Sequence, residues 1–157
     1  MSRDIKELYV NPHIRRRRFL YSINNEKTLF DELKKLIPDL EKTSNEYDYS
    51  DAFSVSKNIR AELKCRGESY DTLLIEKYKW DKLMEYPEKI VYYVCSAPDG
   101  IYLFDIKKLN EPKWEVQKHN RTTMFENNEK IDKVVGFYNV KTQSINITEK
   151  LYKVNEI

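Results

Sequence analysis

The stretch Ser50-Asp51-Ala52-Phe53-Ser54-Val55-Ser56-Lys57-Asn58-Ile59-Arg60-Ala61-Glu62-Leu63-Lys64-Cys65-Arg66 decides how the chain is read. Two β-like runs, Asp51–Val55 and Ile59–Arg66, flank a polar turn at Ser56-Lys57. Alternation in the second run puts Ile59, Ala61, Leu63 and Cys65 on one face and Arg60, Glu62, Lys64 and Arg66 on the other. A loop centred between Ser56 and Lys57 pairs Ser54 with Ile59, and so Asp51 with Glu62. Directly opposed residues have Cβ atoms about 5 Å apart. Two carboxylates at that separation repel by about 3 kcal/mol at an effective dielectric of about 20. A shared proton, neighbouring cations or water relieves such a pair. Lys64 supplies one positive charge, and a divalent cation bridging Asp51 and Glu62 would supply two. An exposed strand face with mixed charges would show the same residues.

Working outward, the preceding segment predicts a helix from about Glu26 to Glu41, capped by Asn24 or Asn25 and perturbed at its end by Pro38. Leu29, Phe30, Leu33, Leu36, Ile37 and Leu40 form its buried stripe. Glu26 projects near the middle of that stripe. It either complements the helix dipole while remaining wet or turns toward a site at the sheet edge. Downstream, a β-like run at Thr72–Glu76 leads into a short helix ending near Tyr86-Pro87. Lys89–Cys95 and Ile101–Ile106 flank a hairpin turn at Ala97-Pro98-Asp99-Gly100. Residues 107–130 are weakly patterned, Lys133–Val140 reads as a strand, and Ile145–Val154 is ambiguous. This order predicts an α/β or α+β fold.

The length of 157 residues suits a single domain spanning 1–157. Lys and Arg number 28 against 26 Asp and Glu, a net charge of +2. Residues 1–18 alone carry +4, and the basic segment 1–22 is expected as an N-terminal arm. Its run Arg15, Arg16, Arg17 and Arg18 either tracks phosphates or is simply solvated. No apolar run is long enough to span a bilayer and none follows Met1, so a soluble, intracellular setting is expected. Cys65 and Cys95 read as free thiols, and two Cys with two His make no standard zinc spacing. Lys79 and Glu76 are placed to edge a cleft beside Glu62, and Arg121 offers a phosphate donor. Phosphate loops and nucleophile elbows are absent, which argues against a small-molecule enzyme.

The succession of helix, Asp51, hairpin, Glu62-Leu63-Lys64, strand and second helix over residues 24–106 resembles the PD-(D/E)XK nuclease superfamily. Its members include restriction enzymes, Holliday-junction resolvases and many phage nucleases. Asp51 matches the motif's first acid, Glu62 its second and Lys64 its lysine, while Ser50 stands where the motif has proline. Glu26 is similar to the acidic residue that many members carry on the first helix. The resemblance implies a restriction endonuclease-like α-β-β-β-α-β core with additional C-terminal strands. It implies that Asp51, Glu62, the Leu63 carbonyl and Glu26 bind Mg²⁺ (or Mn²⁺). Lys64 would then assist a metal-activated water in attacking a DNA phosphodiester. The setting would be cytoplasmic or intracellular viral, and a homodimer would suit symmetric cleavage. The alternative is an inactive nuclease-fold protein acting as a nucleic-acid-binding or assembly module.

Overall fold

The computed structural model describes residues 12–44, 50–120 and 129–155. Helices α1 (Pro12–Ser22) and α2 (Glu26–Leu36) open the chain, followed by strands β1 (Glu41–Lys42), β2 (Ala52–Ser54), β3 (Ile59–Cys65) and β4 (Thr72–Glu76). Helix α3 (Lys77–Met84) leads to β5 (Ile90–Ala97), β6 (Gly100–Asp105), β7 (Glu115–Asn120) and β8 (Lys130–Asn139). Short helix α4 (Val140–Gln143), β9 (Ile145–Asn146) and helix α5 (Thr148–Asn155) complete the described chain. The architecture is mixed α+β with two sheets. No helix among the described residues is long and apolar enough to cross a membrane.

Asn25 caps α2, its side chain accepting from the Thr28 amide while the Thr28 hydroxyl accepts from the Asn25 amide. The helix stops at Leu36 and not near Glu41. Ile37 precedes a proline, a position disfavoured for helical backbone, and it takes φ −126°. Leu40 is still buried, through a turn in which its amide donates to the Ile37 carbonyl. The released residues Glu41 and Lys42 become a strand that the sequence pattern does not reveal.

The main sheet runs β1-β2-β3-β5-β6-β9. β1 with β2 and β2 with β3 are antiparallel, and β5 lies parallel to β3. The β2–β3 register pairs Ser54 with Ile59 and Ala52 with Ala61, as expected from the turn. Asp39 pins that turn, accepting from the Ser54 hydroxyl at 2.6 Å and the Ser56 amide at 3.0 Å. The order α-β-β-β-α-β is therefore present as α2-β1-β2-β3-α3-β5. It is not assembled as expected, because Thr72–Glu76 lies outside the main sheet. β5 takes the free edge of β3, and β4 pairs with β8 in a second sheet ordered β4-β8-β7. β7 arises in a segment without clear alternation, where Pro112 and Trp114 pack over Gly136 of β8 so closely that a Cβ there would lie 2.6 Å from Pro112 Cβ. Ile145–Val154 divides into β9 and α5.

Two apolar clusters cover the main sheet. On one face Leu29, Phe30 and Leu33 of α2 and Leu151 of α5 pack against Ala61, Leu63 and Val94. On the other, Leu83 of α3 and Leu73, Ile75 and Tyr138 of the second sheet pack against Val91, Tyr93 and Phe104. The candidate site lies where this second face meets the end of β2.

Candidate active site

Asp51 sits one residue before β2, yet its backbone extends the ladder. Its amide donates to the Ala61 carbonyl at 2.9 Å, and its carbonyl accepts from the Thr43 amide at 3.0 Å. The carboxylate turns along the edge of β3 and accepts the Leu63 amide at 2.7 Å. By strand alternation, the Leu63 carbonyl faces this same edge. The Asp51 carboxyl is within hydrogen-bond reach of two others, Glu26 on the first turn of α2 and Glu62 in the middle of β3. Asp51 thus acts on one acid of α2 and on one of β3. Glu26, for which two readings stood open, has turned to the site while remaining exposed.

The three carboxyls differ in surroundings. Glu62 is only 9% exposed. Burial pushes its carboxyl up to about 7, the ammonium of Lys79 opposes this, and the charge of Asp51 adds to it. Glu26 is raised as well, by partial burial first and then by Asp51, with Lys42 pulling the other way. Lys79 Nζ lies 2.7 Å from Glu62 Oε1. Lys79, expected at the rim as a phosphate contact, is thus committed to the acid itself; α3 packs on β4 and β8, and the side chain reaches from it across to β3.

Lys64 is exposed on β3 and opens on a cavity of about 240 Å³ lined also by Glu62, Arg66, Glu76, Lys79 and Tyr93. Glu76 pairs with Lys133 of β8 at 2.9 Å. Tyr93 and Arg66 are the additions that the sequence reading did not assign. Tyr93 stands opposite Glu62 in the parallel β3–β5 register, which no local pattern announces. Arg66 shares the alternation of Glu62 and Lys64, and that spacing was the available signal. Its Nε is buried without a hydrogen-bond partner. Of the two aromatics on α3, Trp80 is structural, donating to the Tyr138 hydroxyl at 2.9 Å, and Tyr78 is exposed.

The arginine run does not form one basic surface. It lies on helix α1, where successive side chains point about 100° apart, so four in sequence spread around the axis. Arg16 faces α5, with Nε 2.8 Å from Glu149 and the guanidinium over the Tyr152 ring. Arg15 is half-buried, and Arg17 and Arg18 are exposed. The expected irregular arm is, over residues 12–22, a helix anchored on the body. Arg121 lies outside the described residues.

The donor chemistry fits a hard divalent cation: every side-chain donor is a carboxylate oxygen, and burial first, with the charge of Asp51 after it, raises two of them. Among the described residues, however, no three His, Cys, Asp or Glu side chains are drawn together as a ready ligand set. Glu62 is paired with Lys79, and Asp51 accepts from the Leu63 amide.

No protein-family model matches the chain, and a search among curated proteins finds no match. Among solved structures the chain is similar to Hjc of Archaeoglobus fulgidus, a Holliday junction resolvase from an archaeal hyperthermophile. That similarity has 13% identity and a TM-score of 0.46, and covers 82% of this chain and 97% of that one.

Proposed function

We propose that the chain is a divalent-metal-dependent nuclease that hydrolyses DNA phosphodiester bonds. The observation that carries this reading is the placing of Glu62 and Lys64 on one cavity, with Asp51 anchored on the Leu63 amide between them and close enough to act on both Glu62 and Glu26. Asp51, Glu62, Glu26 and the Leu63 carbonyl are the groups that would hold Mg²⁺ or Mn²⁺. The cation, when bound, supplies positive charge against the phosphate and acidifies water. Lys64 orients the attacking water and faces the charge that builds on the phosphate in the transition state. Tyr93, buried and opposite Glu62 in the β3–β5 register, lines the cavity on the protein side.

The Glu62–Lys79 ion pair favours a second reading, an inactive nuclease fold in which a lysine has replaced the cation for good. One experiment separates them. Supercoiled plasmid, single-stranded DNA and a four-way junction are incubated with Mg²⁺, Mn²⁺ or EDTA, with Lys64→Ala alongside. Metal-dependent cutting that the variant loses supports the nuclease, and the preferred substrate narrows its class. Cutting no greater than the variant's background on every substrate selects the binding or assembly module.

A further inference from the structure

Lys79 is in the first turn of α3, a helix with no acidic residue in that turn. A cation there opposes the helix dipole, whose N-terminal end is positive. Two lysines nevertheless share the turn, and each finds a carboxylate. Lys77 takes Asp81, one turn along the same helix, with both side chains well exposed. Lys79 takes Glu62, a side chain only 11% exposed on another element. The first arrangement is an ordinary surface pair. The second carries a charge into the sheet interface against local preference, a conflict of the kind that marks a functional position.

The lysine does not satisfy its surroundings. One ammonium faces Glu62 with Asp51 in hydrogen-bond reach of it, and Glu26 beyond Asp51. A divalent ion between Asp51 and Glu62 would lie a few ångströms from that ammonium, and the two would repel strongly in this partly dry site. The side chain has somewhere to go. It is one-third exposed, its four-carbon stem is flexible, and it borders the same cavity as Lys64 and Arg66. Arg66 brings to that cavity a buried Nε without an acceptor.

We propose that Lys79 is an exchangeable counter-ion that holds Glu62 while no metal is bound and, displaced by the divalent ion, turns into the Lys64–Arg66 cavity to bind the substrate phosphate. This rests on the nuclease reading above and adds to it an order of events, in which metal entry creates the phosphate site. It also makes Lys79 a positioning residue for the carboxylates before it is a ligand for the substrate.

The test is trace acetylation of the full-length chain in EDTA and in Mg²⁺, with each lysine quantified by mass spectrometry and melting temperature followed in parallel. Release from the ion pair is expected to raise Lys79 labelling by about threefold or more, with Lys77 unchanged. In Glu62→Gln the Lys79 amine should be labelled readily in EDTA and be indifferent to Mg²⁺. If Mg²⁺ raises the melting temperature of the wild-type protein and Lys79 labelling stays the same, the exchange is overturned and the metal site survives. If Mg²⁺ changes neither the melting temperature nor the labelling, the nuclease reading falls and the exchange falls with it.

Discussion

Two ion pairs lie on the same face of β3, two residues apart, and they have opposite characters. Arg60 meets Glu88 at 2.7 Å with both side chains 16% exposed, and its guanidinium stacks over the rings of Phe53 and Tyr86. Burial raises the Glu88 carboxyl, but the Arg60 hydrogen bond, helped by its own backbone and by Arg60 and Lys107 charges, brings it below its ordinary value. Glu62 meets Lys79 at the same distance, and its carboxyl is nevertheless pushed up to about 7. The difference is first burial, which outweighs the Lys79 ammonium at Glu62 but not Arg60 at Glu88, and then Asp51, whose charge adds to the rise. A planar guanidinium held by two aromatic rings serves one isolated acid, whereas a single ammonium is set against an acid that another acid repels. The first pair holds its acid ionised even though Glu88 Oε2 is buried without a partner, and the second leaves its acid raised.

The largest expected effect tests whether that raised acid serves catalysis. Lys64→Ala should lower metal-dependent DNA cleavage by about 10²–10⁴-fold. Because Lys64 is exposed, the same change should move stability by no more than about 0.5 kcal/mol in a urea titration. Next comes the structural pair. Arg60→Ala leaves Glu88 half-stranded against the sheet and should cost about 3 kcal/mol or more by chemical denaturation. A cost under about 1 kcal/mol would place Arg60 with ordinary surface pairs and undo the contrast.

Acidity sharpens the contrast further. Glu62 has an ordinary value of 4.5 and a folded value of about 7. Below the lower value both the folded and unfolded chains carry the proton, so nothing is lost. Between the two values the folded chain keeps a proton that the unfolded chain has released, and stability falls as pH rises. The loss is complete above about 7 and amounts to about 3 kcal/mol. Urea titrations in EDTA at pH 5 and pH 8 should show this decline, and Glu62→Gln should flatten it. A wild-type chain equally stable at both values would mean that Glu62 is held ionised, as Glu88 is. A smaller gain should come from metal: Mg²⁺ at 100 times its dissociation constant should stabilise the chain by about 2.7 kcal/mol, and Asp51→Asn should abolish this in a thermal shift measurement. The smallest effect concerns the arginine run. Arg16→Ala removes a partly exposed pair with Glu149 and should cost under about 1 kcal/mol.

Much of the site's framework was legible because it is local. Four residues join Ser54 to Ile59, so turn length dictates the β2–β3 register from Ser54–Ile59 to Ala52–Ala61. Strand alternation separates the apolar from the charged face of β3 for the same reason. Asn25 was legible as a cap because capping involves only the next three residues.

What escaped depends on contacts distant in the chain. Glu41 and Lys42 form a strand only because β2 offers its edge, and Thr72–Glu76 joins β8 because β5 has taken the edge of β3. Nothing in a five-residue run states which edge will be open to it. Four arginines in a row could in sequence either track phosphates or be solvated, and the helix that carries them turns each to a different side. The sequence by itself determined which residues bear charge along β3 and which of them are opposed across the hairpin. Only the tertiary structure decided that Glu26 reaches Asp51, that Tyr93 stands beside Glu62, and that Lys79 spans from α3 to hold it. Those choices follow from how helices and sheets pack, and packing is a property of surfaces assembled from the whole chain.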